Sequence, residues 1–212
     1  MAQRIGADGP VIIGLTGRLC AGKNFVAALF EARGVPVLDV DKLGYRVLEA
    51  EKETLTARFG TGILDGAGAV DRRRLGARVF GSAAELAALE AIVHPAANAL
   101  TAGWVEAQRG PCVVNAALLH RSPVMGRLDA LVLVRAPLAV RFVRAAARDR
   151  LPLFTLLRRF ASQRNFPRGP RSYAQYLKGK TDIYIISNPA FGSPAALAKR
   201  VDLILGNCAE SG

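Results

Sequence analysis

Apolar runs alternate with amphipathic stretches along most of the chain. Five short runs have the length and β-branched content of buried strands: residues 11–16, 35–40, 112–115, 130–135 and 183–186. Between them, apolar positions recur at helical spacing, at residues 25–33, 41–59, 72–80, 83–93, 95–108, 137–148, 153–163 and 194–200. The glycine-rich residues 60–68 predict a loop. Because strands alternate with helices, we expect an α/β fold in which helices cover both faces of a parallel five-stranded sheet.

The length of the chain fits this architecture as one domain with a small lobe. Its 212 residues can bury a full core, and 51% of them are apolar, which argues against disorder. The sequence has no internal repeat, and no linker divides it into independent domains.

The sequence predicts neither a membrane helix nor an export signal. Charged residues interrupt every apolar run before it reaches the roughly 18 residues that a membrane helix needs. The first ten residues, MAQRIGADGP, lack the continuous apolar segment of a secretory signal. The cysteines Cys20, Cys112 and Cys208 have no metal-binding spacing and cannot all pair with one another. We therefore expect reduced thiols in a cytoplasmic protein.

The charge of the chain indicates a polyanionic ligand. The formal net charge is +12, and 23 of the 29 basic residues are arginines, whose planar fork suits phosphate oxygens. Residues 141–180 hold eleven basic side chains and one acidic side chain, Asp149. A solvated face or nonspecific affinity for nucleic acid would also explain such a surface. The motifs below favour a small phosphorylated ligand.

The strongest chemical motif follows the first predicted strand. Residues 17–24 read G-R-L-C-A-G-K-N and fit the phosphate-loop pattern G-x-x-x-x-G-K, with Asn24 in place of the usual Ser or Thr. Gly17 and Gly22 permit a turn whose N–H groups face inward, and Lys23 adds a positive charge at the start of a helix. The amide oxygen of Asn24 can still coordinate Mg²⁺ or orient one of its waters. The position between a strand and a helix argues against a chance match.

Two carboxylates mark the end of the second predicted strand. Asp39 and Asp41 lie two residues apart, so their side chains share one face unless the strand has already ended. The carboxyl edge of a parallel sheet is where ligands bind. The alternative is that Asp41 caps the helix that follows.

The residues around these motifs resemble the dephospho-coenzyme A kinase family. The resemblance runs through I-I-G-L-T-G-R-L-C-A-G-K-N-F-V at residues 12–26, V-P-V-L-D-V-D at 35–41, R-F-G-T-G-I-L-D-G-A-G-A-V-D-R-R-R-L at 58–75 and L-E-A-I-V-H-P at 89–95. It extends to Arg144, the pair Arg148 and Asp149, Gln163, and Asn188 near the end. The F-G-x-x-I-L-D…V-D-R segment, which begins at Phe59, and the pair His94 and Pro95 are more specific than the phosphate loop, which unrelated nucleoside kinases share.

This resemblance implies an activity and an organisation. Members of the family transfer the γ-phosphoryl group of ATP to the 3′-hydroxyl of dephospho-coenzyme A, the last step of coenzyme A synthesis. It implies a single kinase domain over residues 1–212. The sheet core covers about residues 10–60 and 110–205, a helical acceptor-binding lobe about 61–109, and a lid about 141–180.

The resemblance also implies roles for individual residues. Catalytic roles fall to Asp41, as the base for the acceptor hydroxyl, and to Lys23 and Arg144. Nucleotide binding falls to Gly17, Cys20, Ala21, Gly22, Lys23, Asn24, Phe25, Arg148 and Asn188. Acceptor binding falls to Asp39 and His94, and Asn24 is the candidate ligand for Mg²⁺.

Each of these residues also has a simpler interpretation. His94 is a common type of helix-entry residue before Pro95. The pair Arg144 and Arg148 could lie on a solvated helix face, although no acidic partner stands at helical spacing to explain both. Asn188 could form a turn before Pro189. Cys20 is a small hydrophobic residue or a thiol whose pKa a helix N-terminus lowers.

The sequence departs from the family pattern at several positions. Arg18 and Cys20 stand where glycines are usual, and Asn24 replaces a hydroxyl residue. In the family a proline-leucine-leucine run with an acidic residue nearby is more usual, and this chain has Asn115 followed by A-A-L-L-H instead. Residues 164–180 form a longer insert than expected.

Two other functions stay open at this point. One is another P-loop small-molecule kinase, of the nucleoside monophosphate type. The other is a nucleotide-binding or nucleic-acid-binding relative without turnover, for which Asn24 and the basic stretch would argue.

Overall fold

A parallel sheet forms the centre of the fold. The computed structural model describes residues 9–163, 166–167, 169–177, 181–189 and 193–210. Within these residues, five strands pair in the order β2-β3-β1-β4-β5, and every pairing is parallel. The strands are β1 (Ile12–Gly17), β2 (Val37–Asp39), β3 (Cys112–Asn115), β4 (Ala130–Arg135) and β5 (Asp182–Ser187). The predicted α/β class and the parallel five-stranded sheet are confirmed.

The chain divides into two compact units. One consists of the residues up to Asp39 together with those from Val105 onward, and the other is Val40–Trp104. The first unit holds the sheet and the helices α1 (Lys23–Glu31), α6 (Leu138–Asp149), α7 (Leu153–Ser162), α8 (Pro170–Ala174) and α9 (Pro194–Glu210). The helices of the second unit are α2 (Gly44–Ala50), α3 (Lys52–Phe59), α4 (Arg72–Val79) and most of α5 (Ala83–Glu106).

The core of the first unit explains why the central strands are apolar on both faces. Every residue of β1 is buried, as are all four residues of β3. Ile13 and Val132 of the sheet belong to the same buried cluster as Phe30 of α1 and Val201 of α9. A strand covered on both sides cannot alternate between apolar and polar residues, so the sequence reads as a continuous apolar run.

The second unit has its own hydrophobic cluster. Leu55 and Ile63 are fully buried within it, and Leu89 of α5 packs against it. The Asp71 side chain caps α4 by accepting hydrogen bonds from the backbone N–H groups of Arg73 and Arg74. The expected loop at residues 60–68 contains a short 3₁₀ turn, Thr61–Ile63, and no α-helix.

Four of the predicted helices have different boundaries in the structure, and one of them, expected at 194–200, continues to Glu210 as α9. The expected helix over residues 41–59 is a 3₁₀ turn, Val40–Lys42, followed by α2 and α3. The helices expected at 83–93 and 95–108 are one helix, α5, with Pro95 inside it. A proline in a helix interior costs about 3 kcal/mol or more. The packing of Ile92 and Val93, in the turn before Pro95, against the cluster of the second unit helps to hold the helix together.

The insert that was expected at residues 164–180 is partly helical. It contains α8, whose Tyr173 is almost completely buried. Residues 164, 165, 168 and 178–180 lie outside the described residues. Among the helices described, none combines the length and the apolar character that crossing a bilayer requires.

Candidate active site

The phosphate-loop motif lies between β1 and α1, as its pattern predicts. Gly22 has a φ of 100°, and a Cβ atom there would lie 2.0 Å from Nδ2 of Asn188. A Cβ atom on Gly17 would lie 2.5 Å from the carbonyl oxygen of Val134 and 3.3 Å from Cγ of Lys23. Both glycines are therefore required by close approach, and Gly22 also by its backbone conformation.

Cys20 also has a left-handed backbone conformation, with a φ of 56°. This conformation costs a non-glycine residue roughly 1–2 kcal/mol. The thiol is half-buried, and burial raises its pKa, with a further upward contribution from Asp149 and downward contributions from nearby arginines. The suggestion that the helix N-terminus lowers this pKa is therefore wrong, because desolvation of the thiolate outweighs the positive charges.

The first half of the loop is held by the segment that follows α7. The backbone N–H of Leu19 donates to Oε1 of Gln163 at 2.8 Å. Nη2 of Arg18 donates to the carbonyl oxygens of Gln163 at 3.2 Å and Phe166 at 3.0 Å. Gln163 was part of the sequence resemblance, but its contact with the loop spans 144 residues and had no signal in the sequence.

Asn188 connects the loop to α6. It is buried, its Nδ2 donates to the carbonyl oxygen of Ala21 at 3.0 Å, and its backbone N–H donates to that of Arg135 at 2.7 Å. Arg144 donates to Oδ1 of Asn188 at 3.2 Å, to its carbonyl oxygen at 3.3 Å and to that of Pro189 at 3.1 Å. Asn188 is thus more than a turn residue, because its side chain binds both the phosphate loop, at Ala21, and Arg144.

Arg144 and Arg148 have different surroundings although both lie on α6. Arg148 forms two hydrogen bonds with the adjacent Asp149, at 2.6 and 3.1 Å, and Arg159 donates to the same carboxylate at 2.9 Å. The hydrogen bond from Arg148 holds the pKa of Asp149 below its usual value, and the charges of Arg148 and Arg159 add to the effect. An acidic partner for Arg148 therefore exists, one residue away instead of at helical spacing.

A pair of amides lies at the carboxyl edge of the sheet. Nδ2 of Asn115 donates to Oδ1 of the exposed Asn24 at 3.3 Å. Asn115 is 2% exposed, and its own Oδ1 has no hydrogen-bond partner among the described residues. Asp39 is the neighbour of Asn115 in the register of β2 and β3, so the two side chains share a face of the sheet. Asn115 was not among the predicted site residues, although its place at the end of a central strand was a signal.

The side-chain oxygens of Asn24, Asn115 and Asp39 fit a magnesium ion that takes its remaining ligands from water and substrate phosphates. Amide and carboxylate oxygens are hard ligands, and the buried Oδ1 of Asn115 lacks a partner in the described part of the chain. Among the described residues, no three His, Cys, Asp or Glu side chains come together. Mg²⁺ commonly accepts few protein ligands because it keeps waters and binds substrate phosphates.

The remaining predicted residues of the loop lie where the motif expects them. Lys23 is half-buried as the first residue of α1, and Phe25 is exposed in the same turn. Ala21 is buried and offers its carbonyl oxygen to Asn188.

Two predicted residues belong to the second unit. Asp41 is exposed in the 3₁₀ turn directly after β2, so the strand has ended before it. The N-cap residue of α2 is Leu43, so Asp41 does not occupy the N-cap position of that helix. His94 lines a cavity of about 270 Å³ within this unit. The other lining residues are mostly apolar, with Arg72 and Glu90 as the charged ones: Gly44, Leu48, Arg72, Leu75, Gly76, Leu89, Glu90 and Val93.

Comparison with known proteins decides the family. The family model described as "Dephospho-CoA kinase" matches residues 11–168. The chain belongs to the dephospho-CoA kinase family. A dephospho-CoA kinase of Thermus thermophilus is 39% identical over 158 residues, which cover 74% of this chain and 77% of the relative. A dephospho-CoA kinase of Anaeromyxobacter dehalogenans is 35% identical over 203 residues, which cover 92% of this chain and 91% of the relative.

Solved structures agree with this assignment. The crystal structure of TT1252 from Thermus thermophilus has a TM-score of 0.71 at 31% identity, covering 94% of this chain and 98% of that one. The dephospho-CoA kinase from Campylobacter jejuni has a TM-score of 0.62 at 19% identity, covering 94% and 97%. At that identity the likeness shows the fold alone, and it confirms the predicted kinase architecture.

Proposed function

We infer that this member of the dephospho-CoA kinase family phosphorylates the 3′-hydroxyl of dephospho-CoA with ATP and releases CoA and ADP. The observation that carries the inference is the G-x-x-x-x-G-K loop between β1 and α1, in a chain of this family. The backbone N–H groups of such a loop, the N-terminus of α1 and the Lys23 ammonium group together favour the phosphates of ATP.

The phosphoryl transfer needs charge stabilisation more than covalent help from the protein. The new bond joins the acceptor oxygen to the γ-phosphorus while the bond to the β,γ-bridging oxygen breaks, and ADP takes the electron pair. Lys23 would stabilise the negative charge on the transferring group, and Arg144 would add to it from α6. Arg148 would assist once its exposed pair with Asp149 opens.

A base is needed for the acceptor hydroxyl. We assign this role to Asp41, whose carboxylate would orient the hydroxyl and accept its proton late in the transfer. Asp39 would support the acceptor or the metal. His94 and Arg72, which line the same cavity, would contact the acceptor through a hydrogen bond and a charge.

Magnesium would be held by Asn24, Asn115 and Asp39 together with phosphate oxygens of ATP. When bound, the ion neutralises charge on the β- and γ-phosphates. The side-chain oxygens of Asn24 and Asn115 are uncharged amide oxygens. This chain would therefore supply less negative charge to the ion than a site in which carboxylates take their place.

The organisation of the chain is part of the proposal. Residues 61–109 would form the acceptor-binding lobe, and residues 141–180 the lid over ATP. A cytoplasmic location is supported by the cysteines, all three of which lie in the described part of the chain and form no disulfide there.

The decisive experiment measures ADP release with three candidate acceptors: dephospho-CoA, AMP and a short oligonucleotide. We expect ADP and CoA in equal amounts with dephospho-CoA, and neither AMP nor the oligonucleotide should stimulate release. Lys23→Ala serves as the inactive control, since it removes the loop charge. Stimulation by AMP would indicate a nucleoside monophosphate kinase, and tight oligonucleotide binding without turnover would indicate a non-catalytic relative.

A further inference from the structure

A cavity lined by three arginines lies beside the phosphate loop. Its volume is about 210 Å³, far above the roughly 10–15 Å³ that one water needs. The lining residues come from the loop, the end of β4, α6 and the segment after α7: Arg18, Ala21, Leu133, Val134, Arg135, Ala136, Arg141 and Pro167. They include three cations and no carboxylate.

Arg141 is the most unusual of these residues. It is 7% exposed, and within the described residues no carboxylate pairs with it. Its guanidinium group lies 5.4 Å from the ring centroid of Phe160, and its Nη1 donates to the carbonyl oxygen of Leu19 at a marginal 3.5 Å. Burial lowers the pKa of Arg141, and the charge of the neighbouring Arg18 lowers it further. Its contacts are thus a ring face and a neutral oxygen, while a like charge lies nearby.

A buried cation without a counter-charge is unfavourable. Moving it out of water removes its hydration, and a nearby anion offsets this loss by Coulomb attraction and hydrogen bonds. Arginine forks bind phosphate oxygens in a bidentate manner, and three of them around one cavity match a tetrahedral oxyanion better than a carboxylate.

We propose that the cavity between Arg18, Arg135 and Arg141 is an oxyanion site that binds a phosphate group in addition to those of ATP. The cavity shares Arg18 and Ala21 with the phosphate loop. Gly22, Lys23 and Asn24, which would hold the phosphates of ATP, do not line it. The ligand is either inorganic phosphate or a phosphate group of a larger substrate.

An anion at this position would also stabilise the first half of the loop. Arg18 belongs to the loop, and Arg141 contacts the carbonyl oxygen of Leu19. An oxyanion bound by both arginines would remove their mutual repulsion and hold this part of the loop against α6. We therefore expect phosphate to stabilise the folded protein through linkage.

The test compares three variants of the full chain. Arg141→Gln and Arg135→Gln remove cations that line the cavity, and Arg135 is exposed, so its variant is expected to fold. Arg158→Gln is the matched control, because it removes an exposed arginine of α7 whose guanidinium lies against the ring of Phe154. Inorganic phosphate binding is measured by titration calorimetry on the free protein and on its complex with a non-hydrolysable ATP analogue, which fills all the phosphate positions of ATP. The melting temperature of this complex is measured with and without phosphate.

The expected result is that phosphate binds the wild-type complex with the ATP analogue and raises its melting temperature. Arg141→Gln and Arg135→Gln should each weaken phosphate binding at least tenfold, and Arg158→Gln less than twofold. Without phosphate, Arg141→Gln should melt no lower than the wild type, because the buried charge is gone. A purely structural arginine would instead lower the melting temperature whether or not phosphate is present.

Two results would overturn the proposal. One is equal phosphate binding by Arg141→Gln and the wild type. The other is absence of phosphate binding to the complex with the ATP analogue, because phosphate bound by the free protein would then have occupied the phosphate loop itself. A final titration adds dephospho-CoA to the complex with the ATP analogue: competition with phosphate assigns the site to a phosphate group of the acceptor, and lack of competition assigns it to free phosphate. Kinase turnover of the wild type is measured separately, so failure of this site leaves the proposed function intact.

Discussion

At the residue scale, the proposed magnesium site depends on the amide pair Asn24 and Asn115. Their hydrogen bond of 3.3 Å is at the long end of the normal range, so it is easily exchanged for another partner. Breaking it frees the amide oxygen of Asn24 for an ion, at little cost.

Substituting Asn24 tests this role. Asn24→Ser should keep or raise turnover, because a hydroxyl can coordinate the ion directly. Asn24→Ala should require several times more magnesium for half-maximal turnover. The reason is that it removes one ligand of the ion, or one hydrogen bond to a water of the ion, and so weakens magnesium binding. A magnesium titration of ADP release measures both, with the exposed Asn207→Ala as control. Wild-type turnover of Asn24→Ala at low magnesium would remove Asn24 from the metal site.

The proposed base, Asp41, is tested at the same scale. General bases typically contribute about a hundred- to ten-thousand-fold to a rate, so Asp41→Asn should lose roughly a hundredfold or more in kcat. The variant should keep its fold and its affinity for ATP, because the amide has the same shape. Circular dichroism and ATP titration check these two points, and Glu49→Gln, an exposed carboxylate in the same unit, is the control. Near-normal turnover would leave Asp39 as the candidate base.

At the element scale, Arg144 joins α6 to the start of the loop after β5. Arg144 donates to three oxygen atoms on Asn188 and Pro189, whereas Arg148 pairs with its own neighbour Asp149. The two arginines should therefore differ in how much turnover depends on them.

Substitution of each arginine measures this difference. Arg144→Ala should lower kcat at least about tenfold, because it removes a charge from the transferring group and a support of the loop. Arg148→Ala should lower it less, since Asp149 already screens that charge. Steady-state kinetics and a salt-dependent oligonucleotide assay are run on both variants. Loss of oligonucleotide affinity alone, with full kinase turnover, would contradict the lid assignment.

The strands of the sheet were predictable because each buried strand appears in the sequence as a short run of consecutive apolar residues. All five strands were found from apolar runs, and the strand–helix alternation indicated parallel pairing. The helix boundaries were less predictable. Residues 41–59 have helical spacing, but the chain leaves the sheet through a 3₁₀ turn. Pro95 predicted a break that tertiary packing prevents.

The part of the site that one continuous stretch of sequence forms was predictable. The loop from Gly17 to Lys23 is one motif, and its glycines lie where close contacts require them. The amide pair joins residues 91 positions apart, and Arg18 reaches residues more than 140 positions away. Contacts of this kind leave no periodicity in a single sequence, so the partners of Asn115 and Arg141 became visible only in the structure.

At the scale of the whole molecule, His120 should make stability depend on pH. Its ring contacts those of Phe166, Tyr173 and Tyr176 at centroid distances of 5.6, 6.3 and 5.5 Å. Burial lowers the pKa of His120 below the ordinary 6.5, and the charge of Arg121 lowers it further. The unfolded chain therefore takes up this proton first, and the stabilising contribution of neutral His120 is complete above about pH 6.5 and declines as the pH falls below it.

A substitution isolates this effect from other acid-sensitive groups. His120→Phe keeps an aromatic ring in the cluster but cannot take up a proton. Urea unfolding of both proteins at pH 8 and pH 5.5 should show a smaller loss of unfolding free energy for His120→Phe than for the wild type. Equal losses would show that His120 protonation does not contribute.

The position of Cys20 gives the protein a built-in chemical reporter. Cys112 is fully buried and its pKa is raised to about 11, mainly by burial, and Cys208 is also buried. Of the three cysteines, all of them described, Cys20 is the one with appreciable exposure. A thiol-alkylating reagent at mildly alkaline pH would therefore mark the phosphate loop selectively, and the degree of labelling would follow occupancy of the loop by nucleotide, without any engineered label.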